Sequence, residues 1–380
     1  MSQLLSYAKF GNGHDGSPAV SGVINTYATC TGTAGQSVLT TSLSASDGDI
    51  ILIHQSQHAT AAGTWELIRV SSDAGATLNL SSALTNSYTT GAQAVLIPQY
   101  TGGNLSDTVT GTAWDGTVGG IIALMSNGTL TINGSLTASS IGFRGGGPGA
   151  NSGGGYQAGV QGESQTSYST TRSTSANSGG GGGGGANEYA GGAGGGGYSI
   201  GGTNGEPGNQ GSGNWGVGGT GGGTYGIANL TTMTFGSAGG GGGAGNNPSQ
   251  GGNDGAGGGS IFVFSKEITI IGSIVSNGSG GQAALSGGSY ASTSGGGGGG
   301  AGGSILIKTQ TGTLGTNLIT AAAGSGGAGN SGGIGNGDGG AGGAGRIHLD
   351  YYGAYTGTTT PTLDVAQDTT LTPPIHGGMI

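Results

Sequence analysis

The stretch Gly295-Gly296-Gly297-Gly298-Gly299-Gly300-Ala301-Gly302-Gly303-Ser304-Ile305-Leu306-Ile307 decides the fold. A run of glycine passes without a break into a short apolar strand. The same junction recurs at Gly258-Gly259-Ser260-Ile261-Phe262-Val263, at Gly119-Gly120-Ile121-Ile122-Ala123-Leu124 and, cut short, at Gly345-Arg346-Ile347-His348-Leu349. Aligned, Ile122 and Leu124 match Ile261 and Val263, Ile305 and Ile307, and Ile347 and Leu349. Alternate residues of a strand face one side, so stacking the units predicts one continuous apolar layer. A single unit cannot bury such a face alone, which is the logic of repeat architectures. Within the first unit, Ser126-Asn127-Gly128 predicts a turn, with residues 130–136 as the returning strand. Asn133-Gly134-Ser135 and Asn277-Gly278-Ser279, like Asn127-Gly128-Thr129, fit the glycosylation pattern but read better as Asn-Gly turns.

Between the units lie glycine tracts at residues 145–155, 179–185, 191–197, 216–223, 239–245, 251–259, 295–303 and 324–345. Glycine supplies 100 of 380 residues, and charged residues only 6%. Ordinary soluble proteins hold roughly 7% glycine and about 25% charge. Disordered chains are normally charged and poor in β-branched residues, whereas this chain is rich in Thr, Ile, Val and Ser. Glycine is therefore expected to serve a geometric end. An extended left-handed helix of three residues per turn rises about 3.1 Å per residue and leaves its peptide groups pointing outward. Side by side, such rods can bond to one another, and only glycine lets backbones approach closely on every side. A flexible linker array is the simpler alternative, but linkers need no register with strands.

Residues 1–101 differ, with glycines spaced like turns and short strands at Ile50-Ile51-Leu52-Ile53, Trp65-Glu66-Leu67-Ile68-Arg69-Val70, Thr77-Leu78-Asn79-Leu80 and Ala94-Val95-Leu96-Ile97. This predicts a small N-terminal β domain. The whole chain reads as all-β with polyglycine II helices and essentially no α-helix. Its parts are an N-terminal β domain (1–101), a first β repeat unit (102–144), a glycine-rich region with aromatic loops (145–257), further β units with glycine tracts (258–352) and an extended, non-helical tail (353–380).

The glycine tracts, joined by turns bearing Tyr, Trp, Ser and Asn over residues 143–345, resemble the receptor-binding adhesins at the tips of T-even-type phage tail fibres. The clearest stretches are residues 178–198, 216–223 and 237–259. The resemblance implies a sandwich of polyglycine II helices whose distal loops contact a host outer-membrane protein. Gly142-Phe143-Arg144-Gly145-Gly146, with Gln161-Gly162-Glu163-Ser164 downstream, is also similar to glycine-rich bacterial surface proteins. The strand units depart from the phage pattern.

Several chemistries are disfavoured. The net charge is −9 with no basic stripe, against nucleic-acid binding. No apolar run approaches the ~20 residues of a membrane span, and the first residues do not read as a secretory signal. Gly-x-Gly-x-x-Gly recurs only as glycine abundance dictates, without the strand, helix and acidic residue of a dinucleotide site. His54 and His58 are four apart, but the strand before them argues against a helical zinc pair. Cys30 is alone and reads as a buried small hydrophobe. Glu163, Glu188 and Glu206 stand isolated on predicted loops. No catalytic set, cofactor or metal is expected.

The informative residues are the loop aromatics Tyr156, Tyr168, Tyr189, Tyr198, Trp215, Tyr225 and Tyr290. Rigid rings among Ser, Gly and Asn resemble binding loops, although they would equally serve to cover the bundle's ends. The function expected is a non-enzymatic adhesin on a virion surface or outside the cell, bound to a host cell-surface protein or glycan and to other fibre subunits. A self-assembling structural fibre is the second expectation. An ice-binding protein, which needs a flat, regular Thr or Ala face, is the third.

Overall fold

A computed structural model describes residues 9–150, 157–167, 172–176, 178–185, 189–208, 215–245, 250–285, 294–330 and 337–371. The N-terminal strands are β1 (Gly22–Val23), β2 (Thr26–Thr31), β3 (Val38–Thr41), β4 (Ile50–Gln55), β5 (Trp65–Asp73), β6 (Thr77–Leu80), β7 (Ala92–Ile97), β8 (Gln99–Tyr100), β9 (Gly103–Leu105) and β10 (Thr108–Thr110). There follow β11 (Ile121–Ile132), β12 (Ser135–Thr137), β13 (Ser260–Ile270), β14 (Ser273–Val275), β15 (Ser304–Thr320), β16 (Arg346–Thr360) and β17 (Asp364–Gln367). Among the described residues, helical structure is confined to Lys9–Phe10 and a 3-10 turn at Thr369–Leu371. The protein is all-β.

Six antiparallel strands close a barrel in the order β2-β3-β6-β5-β4-β7. Closure leaves no free edge. Its interior is filled by Leu39, Ile51, Ile53, Val70, Leu78 and the buried Cys30. The remaining strands form one 11-stranded sheet whose pairings are all parallel. The register joins Ile122 to Ile261, Ile261 to Ile305 and Ile305 to Ile347, and likewise Leu124, Val263, Ile307 and Leu349. The alignment read from the sequence is thus the physical pairing. These side chains share one core with Val109, Leu136, Ile274 and Ile319, which come from the short strands β10, β12 and β14 and from the far end of β15. The sheet therefore folds over on itself.

The predicted turn at Ser126-Asn127-Gly128 is not one. Asn127 and Gly128 lie inside β11, where the pairing with β13 shifts register between Ser126 and Thr129. The strand runs on because each unit pairs in parallel with the next unit rather than with itself. Gly128 serves close approach, since a Cβ there would lie 2.2 Å from the Thr101 carbonyl oxygen. Asn133-Gly134 does mark the bend between β11 and β12, and Asn277 opens a glycine-rich segment and accepts from Thr320 and Ala322. Residues 353–360, read as the start of a tail, are the second half of β16 and pair with β15. The rest of the predicted tail includes β17, and residues 372–380 lie outside the described residues.

The described residues of the glycine tracts are tied to one another by main-chain bonds. In the tract at 295–303, successive N–H groups donate in rotation to three neighbours. Gly295, Gly298 and Ala301 donate to Gly243, Gly240 and Ser237; Gly296, Gly299 and Gly302 to Gly337, Gly340 and Gly343; Gly297, Gly300 and Gly303 to Gln282, Ser279 and Ser276, all at 2.7–3.0 Å. Carbonyls of the same tract accept from Gly252, Gly255 and Gly258, from Ala193 and Gly196, and from Gly324 and Gly327. One tract thus touches six segments, and its buried peptide groups are satisfied without a sheet. The tracts at 191–197 and 236–244 are surrounded in the same way. A Cβ on any glycine of 295–303 would fall 1.8–2.2 Å from a neighbouring carbonyl oxygen.

The outer face of the parallel sheet packs on the barrel. Ile121, Ala123, Met125, Phe262, Phe264 and Leu306 meet Ile50, Leu52, Val95 and Ile97 there, with Trp65, Trp114, Phe143 and Phe235 filling the junction. All five phenylalanines of the chain belong to this one cluster.

Candidate functional site

Tract direction follows from the bond ladders. Residues 180–183 run parallel to 238–241, and 146–149 parallel to 239–242, whereas 191–197 run antiparallel to 178–184 and parallel to 296–299. Outgoing tracts therefore end at Ala150, Gly185, Gly208, Gly245, Leu285 and Asn330, and returning tracts begin at Gln157, Tyr189, Trp215, Gln250, Ser294 and Gly337. All of these tract ends lie at one end of the bundle, the reversal end. The other end feeds β13, β15 and β16 and is closed by the sheet.

At the reversal end, single bridges tie tract to tract: Ala150 with Gln250, Gln250 with Leu285, and Tyr189 with Trp215. The Gly216 N–H donates to the Tyr189 carbonyl at 2.6 Å, which sets the Trp215 backbone against Tyr189. Trp215 is 45% exposed and Leu285 60%, and Val217 beside them in the returning tract is also exposed. The Arg172 guanidinium donates to the carbonyls of Pro148 and Ala158 near the same end. The chemistry available is apolar and aromatic contact on a frame of fixed backbone.

The predicted aromatics separate into three groups. Trp215 and the half-buried Tyr189 stand at the reversal end. Tyr198 and Tyr225 stand at the sheet end as braces, and Tyr198 is not available for contact because it is fully buried. Its hydroxyl meets Ser304 Oγ at 2.6 Å, its ring packs on Tyr225 at 4.8 Å, and the Arg346 guanidinium lies 5.3 Å from its ring centre. The Tyr225 hydroxyl donates to the Phe235 carbonyl at 2.8 Å, and burial pushes its pKa upward. Covering a bundle end is the role these two fill. Tyr156, Tyr168 and Tyr290 lie outside the described residues. Leu285 carries no aromatic signal in the sequence; its position at the end of a glycine tract is what marks it.

Glu163 lies outside any strand, as expected, but it is not isolated. Its carboxylate is fully buried, accepting from Arg144 N and Nε at 2.9 Å, Trp114 Nε1 at 3.2 Å and Gln57 Nε2 at 3.2 Å. It links the barrel to the body. His54 lies on β4, fully buried, with Nε2 donating to the Met233 carbonyl at 2.6 Å and Nδ1 at 2.8 Å from Ser56 Oγ. Burial lowers its pKa to about 4. Among the described residues, no group of three or more His, Cys, Asp or Glu is placed to hold a metal ion.

Comparison with family models, with curated proteins and with solved structures finds no match to this chain.

Proposed function

We propose that the chain is a non-enzymatic adhesin of the phage tail-fibre-tip kind, with its glycine tracts acting as polyglycine II rods that present loops to a cell-surface protein or glycan. The observation that carries the reading is the polarity of the bundle, in which the outgoing tracts end and the returning tracts begin at the end opposite the sheet. The threefold rotation of hydrogen bonds supports the rod geometry, because a helix of three residues per turn repeats its neighbour every third residue. Backbone bonds then hold the scaffold, and loop sequences vary at little cost to it. Trp215 and Leu285 are the described side chains best placed for contact.

A self-assembling fibre is less well supported. The outer edge of β11 is covered by the short strands β8 and β9, and the first half of β16 by β17. Short covering strands discourage edge-to-edge growth. The test is adsorption of labelled protein to a panel of whole bacterial cells, with Trp215→Ala and Leu285→Ala alongside. Saturable adsorption that falls more than tenfold in either variant supports the adhesin. Polymers by sedimentation with no adsorption would move the reading to the fibre, and thermal hysteresis would move it to ice binding.

A further inference from the structure

A groove of about 960 Å³ opens where one end of the barrel meets the glycine-rich body. Its size matches small-molecule sites, about 300–1,000 Å³. It lies far from Trp215 and Leu285, because its body wall, Thr166 and Ser167, follows the sheet-side end of a returning tract. The segment after β4 is fixed to that wall by the His58 N–H, which donates to the Gln165 carbonyl at 2.9 Å.

The lining has an uncommon character. Its described residues include no Asp, Glu, Lys or Arg and no aromatic ring other than the His58 imidazole. Hydroxyls dominate: Thr31, Thr40, Ser42 and Thr90 come from the barrel and Ser167 from the body. A hydroxyl both donates and accepts, so the wall complements a ligand whose groups do the same. His58 adds one directed donor. The backbone N–H groups of Thr60 and Ala61 donate to its Nδ1 at 3.1 and 3.0 Å. That contact places the ring proton on Nε2, which has no hydrogen-bond partner among the described residues. The Arg144 guanidinium behind Gly116 is engaged by the Glu163 carboxylate and the Asp115 carbonyl, so a charged ligand would lose hydration here with no charged group in the lining itself to offset it. Cys30, at the floor, takes no part in covalent chemistry, because burial pushes its thiol up to about 12.

We infer that this groove is a binding site for a neutral saccharide, held by threonine and serine hydroxyls and by the His58 Nε2–H. It is separate from the reversal end of the bundle and stands whether or not that end binds a receptor. Without an aromatic platform, affinity for a single chain is expected in the millimolar range.

The test is a ¹³C-edited NMR titration of the full chain, reading the His58 Cε1–Hε1 resonance against those of His14, His54 and His348. The probes are maltohexaose, cellotetraose, chitotetraose and mannotriose, with 3′-sialyllactose as the acidic counterpart. A saturable shift at His58 with at least one neutral probe is expected. Ser42→Trp, on the exposed wall, should weaken it more than tenfold and leave the other histidine resonances in place. His58→Ala should weaken binding too, read from ligand line broadening. No shift with any neutral probe, an unchanged titration in Ser42→Trp, or tighter binding of the sialylated probe would each overturn the inference.

Discussion

At the scale of the residue, the molecule turns on what a missing Cβ permits. Gly298 has the Gly194 carbonyl oxygen 2.0 Å from where a Cβ would stand, and Gly194 cannot move without breaking its own bond to Gly181. Overpacking of this kind costs about 1–3 kcal/mol or more. Gly147 has nothing within 4 Å of the same point. In denaturant unfolding, Gly298→Ala should therefore lose about 1–3 kcal/mol, while Gly147→Ala should stay within about 0.5 kcal/mol of the parent. Two titratable groups, the buried His54 and the half-buried Asp254, give opposite pH signatures. His54 is held near 4 against an ordinary 6.5, so its contribution is present above pH 6.5 and is lost as pH falls toward 4. Asp254 is pushed by burial up to about 7 from 3.8, so its contribution is present at low pH and is lost as pH rises through 7. Asp254→Asn should accordingly match the parent near pH 4 and exceed it in melting temperature at pH 8. Equal melting temperatures at pH 8 would remove Asp254 from the account.

At the scale of the element, the parallel ladder is held by identical positions stacked in register. Ile305 sits between Ile261 and Ile347 and is fully buried. Ile305→Ala should cost about 2–5 kcal/mol, measured by chemical denaturation, and Thr311→Ala on the exposed face should cost far less. The strand units were legible because period-two alternation and the Gly-Gly-Ser entry recur together. Their direction was not. Asn127-Gly128 is a strong hairpin signal locally, but pairing with the following unit fixed the chain as one long strand, and Gly128 was needed for approach to Thr101. The tail was misread for a related reason. Thr356, Thr358 and Thr360 carry little apolar signal, and they are strand because β15 offers them an edge.

At the scale of the whole molecule, the barrel and the glycine body share a core. His54 packs on Phe235 and Phe262, and Trp114 and Phe143 pack in turn on Phe235, with ring centres 5.1–6.2 Å apart. Glu163 ties the two parts through Arg144, Trp114 and Gln57. Removing one partner of a buried ion pair costs about 3–5 kcal/mol, and the half-exposed Arg144 points to the lower part of that range. Glu163→Ala should thus lower stability by about 3 kcal/mol, and calorimetry should still record one transition if the barrel and body unfold together. Two transitions would show that the barrel stands alone.

The all-β class, the repeated strand unit, its residue-by-residue stacking and the presence of ordered glycine were set by the sequence alone, since alternation and glycine spacing are local patterns. Tertiary structure decided the rest. Tyr198 and Trp215 sit in similar glycine-rich contexts, yet one is a buried brace and the other an exposed ring, because tract direction assigns them to opposite ends of the bundle. Glu163 and His54 look isolated along the chain, and only the docking of barrel on sheet, formed by contacts between residues more than a hundred positions apart, makes them the points where the two halves join.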